Sequence, residues 1–149
     1  MGGHEQQTVA ALMTPCVYSI SPGDSAQSAA RLMLEAGVGM VPVEAPGVGA
    51  ILGVVTDRDI VVKVVAKSIP TTAAVCEFMT VSAETCRPSD NVVSAAQTML
   101  EAKLHRLVVV DESKHAVGIL SLSDIVREHP SLGSLIAGGL MREIPADQR

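Results

Sequence analysis

Two short segments of this 149-residue chain carry the same pair of side chains at the same spacing: Thr56 with Asp59, and Ser121 with Asp124. Each pair sits where a β-branched run gives way to a helical pattern, so the hydroxyl ends a strand and the carboxylate opens a helix. A carboxylate placed there can accept two hydrogen bonds from a diol such as that of a ribose. The hydroxyl faces the same groove, and amides at a helix start add partial positive charge suited to a phosphate. The competing reading is plain helix capping, with Asp57 capping one helix and Ser121 or Ser123 the other. Both Asp residues keep one register, which favours the diol. His105 and Arg106 precede the second pair, at the start of a strand whose next four residues are apolar. A guanidinium can fork onto phosphate oxygens there, and the imidazole can donate one more bond. The alternative is a solvated strand end with Arg106 paired to a surface carboxylate. The first segment has Gly39 and Met40 at the matching places, and its Arg58 offers a charge from a helix instead of a strand.

The elements that must position these residues are duplicated. Laid over 75–102, residues 9–36 match at Met13/Met79, Thr14/Thr80, Pro22/Pro88 and Asp24/Asp90, and in the four residues from Met33 and from Met99. A one-residue deletion in the middle loop then sets Gly53 on Gly118, Asp59 on Asp124 and Ile60 on Ile125. A fixed period of this size marks a repeat architecture. Each half reads as an apolar turn (Val9, Leu12, Met13; then Val75, Phe78, Met79) and a strand near 17–20 or 83–86. Pro22-Gly23-Asp24 and Pro88-Ser89-Asp90 signal a turn and the start of a helix, expected to be capped by the Asp, with Gln27 completing a capping box in the first half. Ala26, Ala29, Ala30, Met33 and Leu34 give that helix a period near 3.6, and Gly37 ends it. Two β-branched strands come next (40–43 and 51–55; 107–110 and 117–120), then a second helix at 57–66 or 122–127. The unit is β-α-β-β-α, and a three-stranded sheet with one face to cover predicts that the halves pack sheet against sheet. The expected domains are 8–67 and 74–129, with a linker at 68–73 and a tail at 130–149.

These residues carry a family resemblance. The stretches Gly53-Val-Val-Thr-Asp-Arg-Asp59-Ile60 and Gly118-Ile-Leu-Ser-Leu-Ser-Asp124-Ile125 resemble the end signature of the CBS (cystathionine β-synthase) domain. Leu12-Met13-Thr14 and Phe78-Met79-Thr80 resemble its start. The likeness spans about 8–128, the two-repeat Bateman module. The first signature is similar to stand-alone bacterial CBS pairs, including hypoxic-response types, and the second half resembles the γ subunit of AMP-activated protein kinase. The resemblance implies an α+β fold with pseudo-two-fold symmetry and a regulatory ligand carrying adenosine: AMP, ADP, ATP or S-adenosylmethionine. It also implies phosphate contact for His105, Arg106 and Ser123, and a homodimer of pairs. The expected ligand-binding set is Thr56, Arg58, Asp59, His105, Arg106, Ser121, Ser123 and Asp124.

Composition limits the alternatives. The chain is 48% hydrophobic and 18% charged, which excludes a disordered protein. A length of 149 residues suffices to bury roughly 70% of the unfolded surface without a disulfide or metal staple. One Tyr, one Phe, no Trp and a net charge of −5 argue against a nucleic-acid partner. Cys16, Cys76 and Cys86 lack metal or disulfide spacing and read as buried fillers, consistent with a reducing cytoplasm. The first eight residues have no apolar core, so no signal peptide is expected, and no apolar run approaches the ~20 residues of a membrane span. Neither a nucleophile–base set nor a metal set is visible, so the expectation is a non-enzymatic adenine-nucleotide sensor acting on an undefined target protein. A constitutive interaction scaffold, in which the Asp residues only cap helices, is the alternative, and a small-molecule enzyme a more distant one. The surplus of apolar residues at Ile60, Val61, Val62, Val64 and Val65 predicts a dimer contact. Leu132, Leu135, Ile136, Leu140 and Met141 suggest a short tail helix, interrupted at Gly138-Gly139.

Overall fold

A computed structural model of the chain describes residues 7–16, 18–81, 84–132 and 138. The elements run α1 (Val9–Leu12), β1 (Thr14–Pro15), α2 (Ala26–Ala36), β2 (Met40–Glu44), β3 (Ile51–Thr56) and α3 (Asp57–Asp59), the last continued by a π-helical segment (Ile60–Val65). A 3-10 turn (Val75–Glu77), β4 (Thr80–Val81), β5 (Thr85–Cys86), α4 (Val92–Ala102), β6 (Arg106–Val110), β7 (Ala116–Ser121) and α5 (Leu122–Glu128) complete the series. This is a mixed helix-and-strand protein with two sheets, one ordered β2-β3-β4 and the other β1-β7-β6-β5.

The chain forms two units, and neither follows one half of the sequence. The first comprises 17–83 with 112–116, and the second comprises 1–16, 84–111 and 117–149. Val75 and Phe78 therefore join the first unit's core with Ile20, Ala29, Met33, Val41, Val43, Val55 and Val64. Val9 and Leu12 join the second unit's core with Cys86, Met99, Leu107, Val109, Leu120 and Ile125. The short strand after each opening turn goes the same way: β4 pairs antiparallel with β3, and β1 with β7. Two glycines permit this. A Cβ on Gly53 would stand 2.3 Å from the Thr80 carbonyl oxygen, and one on Gly118 would stand 2.6 Å from Met13 Sδ. The sequence predicts three strands per unit; the additional short strand is contributed by the other half of the chain, and no local signal in the unit could reveal it.

The expected strands near 17–20 and 83–86 are shorter than the pattern suggests. Ile20 makes a single parallel bridge to Val43, and β5 pairs parallel with β6 through Thr85 and Cys86. Val17 and Ala83 lie outside the described residues. A tight turn follows each strand at once: the Asp24 carboxylate accepts from the Ser21 amide at 2.9 Å, and the Asp90 carboxylate from the Arg87 amide at 2.9 Å. These carboxylates close turns and do not cap helices. Ser25 caps α2, accepting from the Ser28 amide at 3.1 Å, and Asn91 caps α4 through the Val93 amide at 2.7 Å. Gln27 completes no box with Asp24. Gly37 ends α2 in the left-handed region at φ 68°, a conformation glycine adopts without Cβ strain.

The second helix of the first half is also not a regular α-helix. After Asp59 the backbone widens, and the Ala66 amide donates to the Val61 carbonyl. β-Branched side chains crowd the α-helical turn, and five of the six residues in this segment are of that kind. Of the cysteines, only Cys86 is a buried filler; Cys76 is exposed and Cys16 half-buried. Burial, aided by the nearby Asp90 charge, pushes the Cys86 thiol from 9.0 up to about 12. Leu132 packs against the second unit's core, while Leu135, Ile136, Leu140 and Met141 lie outside the described residues.

Candidate functional site

The four residues singled out by repetition form two complete capping boxes. Thr56 Oγ1 accepts from the Asp59 amide at 3.0 Å, and Asp59 Oδ2 accepts from the Thr56 amide at 3.0 Å. In the second unit Ser121 Oγ accepts from the Asp124 amide at 3.2 Å, and Asp124 Oδ2 from the Ser121 amide at 2.9 Å. Such a box satisfies two otherwise orphaned amides at a helix start. The residues just before β2 and β6 satisfy another, because the Asp57 amide donates to the Gly39 carbonyl and the Leu122 amide to the His105 carbonyl. Two of the amides at each helix start are therefore already bonded within the chain. Both carboxylates are buried, at 7% exposure for Asp59 and 6% for Asp124.

Their remaining partners differ. Asp59 Oδ1 lies 3.0 Å from Lys63 Nζ, and the Thr80 hydroxyl donates to the same carboxylate from β4 at 3.2 and 3.3 Å. Lys63 is itself anchored, donating to the Phe78 carbonyl at 3.3 Å. Asp124 Oδ1 instead meets Arg127 Nη2 at 2.9 Å, from an arginine side chain that is 68% exposed. An ion pair with so exposed a partner contributes about 0.2–1 kcal/mol.

A cleft of about 470 Å³ opens beside the second box, lined by His105, Arg106, Ser121, Leu122, Ser123, Val126 and Arg127. Four of the eight expected site residues (His105, Arg106, Ser121 and Ser123) meet in this one cavity. The Ser121 and Ser123 hydroxyls lie 2.8 Å apart across its rim. His105 and Arg106 arrive from the start of β6 and the serines from the β7–α5 junction, two segments that the Leu122–His105 backbone bond holds together. Among the described residues no carboxylate lines the cleft, and two guanidiniums do, in a protein of net charge −5. Sequence reasoning missed Arg127, Leu122 and Val126. The signal for Arg127 was its place three residues after Asp124, on the same helix face.

The first unit arranges its candidates differently. Thr56 and Asp59 are tied into the box, and Arg58 is exposed on α3, its amide donating to Asp57 Oδ1 at 2.8 Å. A cleft of about 310 Å³ in this unit is lined by Lys63, Ile69, Pro70, Thr72, Ala73, Glu77 and Phe78, none of them an expected site residue. Among the described residues no three His, Cys, Asp or Glu side chains gather as metal ligands, and no helix is long and apolar enough to cross a membrane.

The duplicated box, the exchanged opening turns and the two matched sheets define a tandem-repeat module. The chain belongs to the CBS domain family, whose pattern matches residues 9–66 and 75–131. It is similar to the CBS domain-containing protein YhcV of Bacillus subtilis (strain 168), with 34% identity over 113 residues that make up 76% of this chain and 79% of YhcV. It is also similar to a homoserine O-acetyltransferase of Methanococcoides burtonii, 33% identical over 121 residues, but spans only 24% of that protein's length. Two solved structures share the fold. CBSX2 in complex with AMP is 31% identical with a TM-score of 0.69, covering 84% of this chain and 97% of that one. Hypoxic Response Protein I with two coordinated zinc ions is 26% identical with a TM-score of 0.72, covering 83% and 100%.

Proposed function

We propose that this protein is a regulatory, non-catalytic CBS pair that binds a phosphate-bearing adenosyl ligand (AMP, ADP or ATP) in the second unit. The observation that carries the reading is the 470 Å³ cleft, where two arginines, a histidine and two serine hydroxyls meet beside a buried carboxylate. In this reading Arg106, His105 and Ser123 hold phosphate, while Ser121 and Asp124 hold the ribose. Thr56, Asp59 and Arg58 form at most a weaker site for a ligand without phosphate. The likeness to CBSX2, solved with AMP, supports an adenine nucleotide. Binding alters conformation or affinity for a target protein to the extent that the ligand favours one arrangement over another. AMP at 100 times its Kd is expected to stabilise the fold by about 2.7 kcal/mol, a melting shift of several degrees. No shift with AMP, ADP, ATP or S-adenosylmethionine overturns this function.

A constitutive scaffold is the second reading, favoured by the completeness of both capping boxes, which gives Asp59 and Asp124 a structural role without any ligand. In either case we propose a homodimer, supported by the exposed apolar side chains of Val61, Val62 and Val65 at 58%, 41% and 64%. Light scattering at micromolar concentration is expected to give twice 15.5 kDa; a value of 15.5 kDa throughout overturns the dimer.

A further inference from the structure

We infer that Arg127 is an exchangeable partner of Asp124 and sets the preference of the second-unit cleft for phosphorylated over unphosphorylated ligands. The inference rests on the reading that this cleft takes an adenosyl ligand. Asp124 has a side chain only 8% exposed, with Oδ2 held by the Ser121 amide at 2.9 Å and Oδ1 by Arg127 at 2.9 Å. Oδ1 is the oxygen that the capping box leaves uncommitted, and Arg127 covers it, so a diol approaching there meets the arginine. Arg127 is the loosely held member of the pair, because its side chain is 68% exposed while Asp124 is locked in the capping box. Exposed ion pairs of this kind are weak and readily replaced. Arg127 also lines the same cleft as Arg106 and His105.

These placements couple two events. When a ribose hydroxyl donates to Asp124 Oδ1, Arg127 loses its partner within the cleft. A phosphate on the same ligand gives the guanidinium a new one, with a fork geometry suited to two parallel bonds. A nucleoside without phosphate displaces the arginine and offers nothing in return. Asp59 in the first unit is held differently, since Lys63 is anchored on both Asp59 and the Phe78 carbonyl, and the Thr80 hydroxyl adds a further bond to the carboxylate.

The test is calorimetric titration of AMP and of adenosine into the wild-type protein, Arg127→Ala and Arg127→Lys. Arg127→Ala is expected to weaken AMP about tenfold while leaving adenosine unchanged or a few-fold tighter, because the competitor for Asp124 is gone. Arg127→Lys is expected to fall between, keeping the charge without the fork. Equal losses for both ligands, or no change in either, overturn the exchange while leaving the binding function intact. Wild-type protein that binds neither AMP nor adenosine overturns the binding function and the exchange with it.

Discussion

Asp59 and Asp124 close the same box at the same point of two matched repeats, and they differ in what else holds them. Around Asp59 the chain supplies an anchored lysine and a hydroxyl from a strand of the other half of the sequence. Around Asp124 it supplies one arginine reaching in from solvent. Both boxes start a helix; the second lies next to a cleft lined by cations and hydroxyls. The lesson is that a duplicated motif preserves the backbone geometry, while the outer partners of each copy decide whether its carboxylate stays tied into the fold or becomes available.

The same contrast extends to the glycines, where the largest effect is expected. Gly53→Ala drives a Cβ into the Thr80 backbone oxygen, whereas Gly118→Ala meets first the flexible Met13 side chain and then the Thr14 oxygen at 3.1 Å. Overpacking against backbone is expected to cost about 3 kcal/mol for Gly53→Ala and about 1 kcal/mol for Gly118→Ala. Thermal unfolding of both variants checks this, and equal losses break the comparison. Next in size, Asp59→Ala removes half of its capping box and the acceptor shared by Thr80 and Lys63, for about 2 kcal/mol, while Asp124→Ala removes half of a box and a weak ion pair, for about 1 kcal/mol. Urea denaturation measures that order. Nucleotide affinity is expected to rank the two the opposite way, with Asp124→Ala the more damaging for AMP.

An effect confined to alkaline pH comes from a matched core position. Ile20 and Cys86 occupy equivalent places and are each 6% exposed, but only Cys86 titrates. Its folded-state pKa of about 12 lies above the ordinary 9.0, so the unfolded chain loses the proton first. The stabilising contribution is complete below pH 9 and disappears as pH rises toward 12. Cys86→Ala is expected to flatten that alkaline decline, and a decline of unchanged steepness in denaturation experiments at pH 9–11 refutes the assignment. Iodoacetamide at neutral pH should modify the exposed Cys76 well before Cys86.

Much of this was legible in the chain. The repeat gave the elements, because Met13, Thr14, Pro22, Asp24 and the signature residues recur at fixed offsets and helix and strand periods are local properties. His105, Arg106, Ser121 and Ser123 could be paired in advance because the strand start and the strand–helix junction flank one hairpin. The caps stand one residue beyond the expected positions, since Asp24 and Ser25 are both good caps and only the turn geometry shows that Asp24 is engaged with Ser21. The π-helical segment has the apolar pattern of an α-helix, and only its run of β-branched residues sets it apart. The exchange of β1 and β4 between halves has no sequence signature for a different reason: two-residue strands have no periodicity, and their pairing depends on a distant glycine.

The central claim, that the second unit binds nucleotide through a phosphate grip, is tested most directly by titrating AMP and adenosine into wild-type protein and Arg106→Ala. A charge-assisted bond contributes about 1.5–3 kcal/mol, so its loss should weaken AMP about tenfold or more. Adenosine should bind both proteins alike. If Arg106→Ala holds AMP as tightly as wild type, the phosphate grip is wrong.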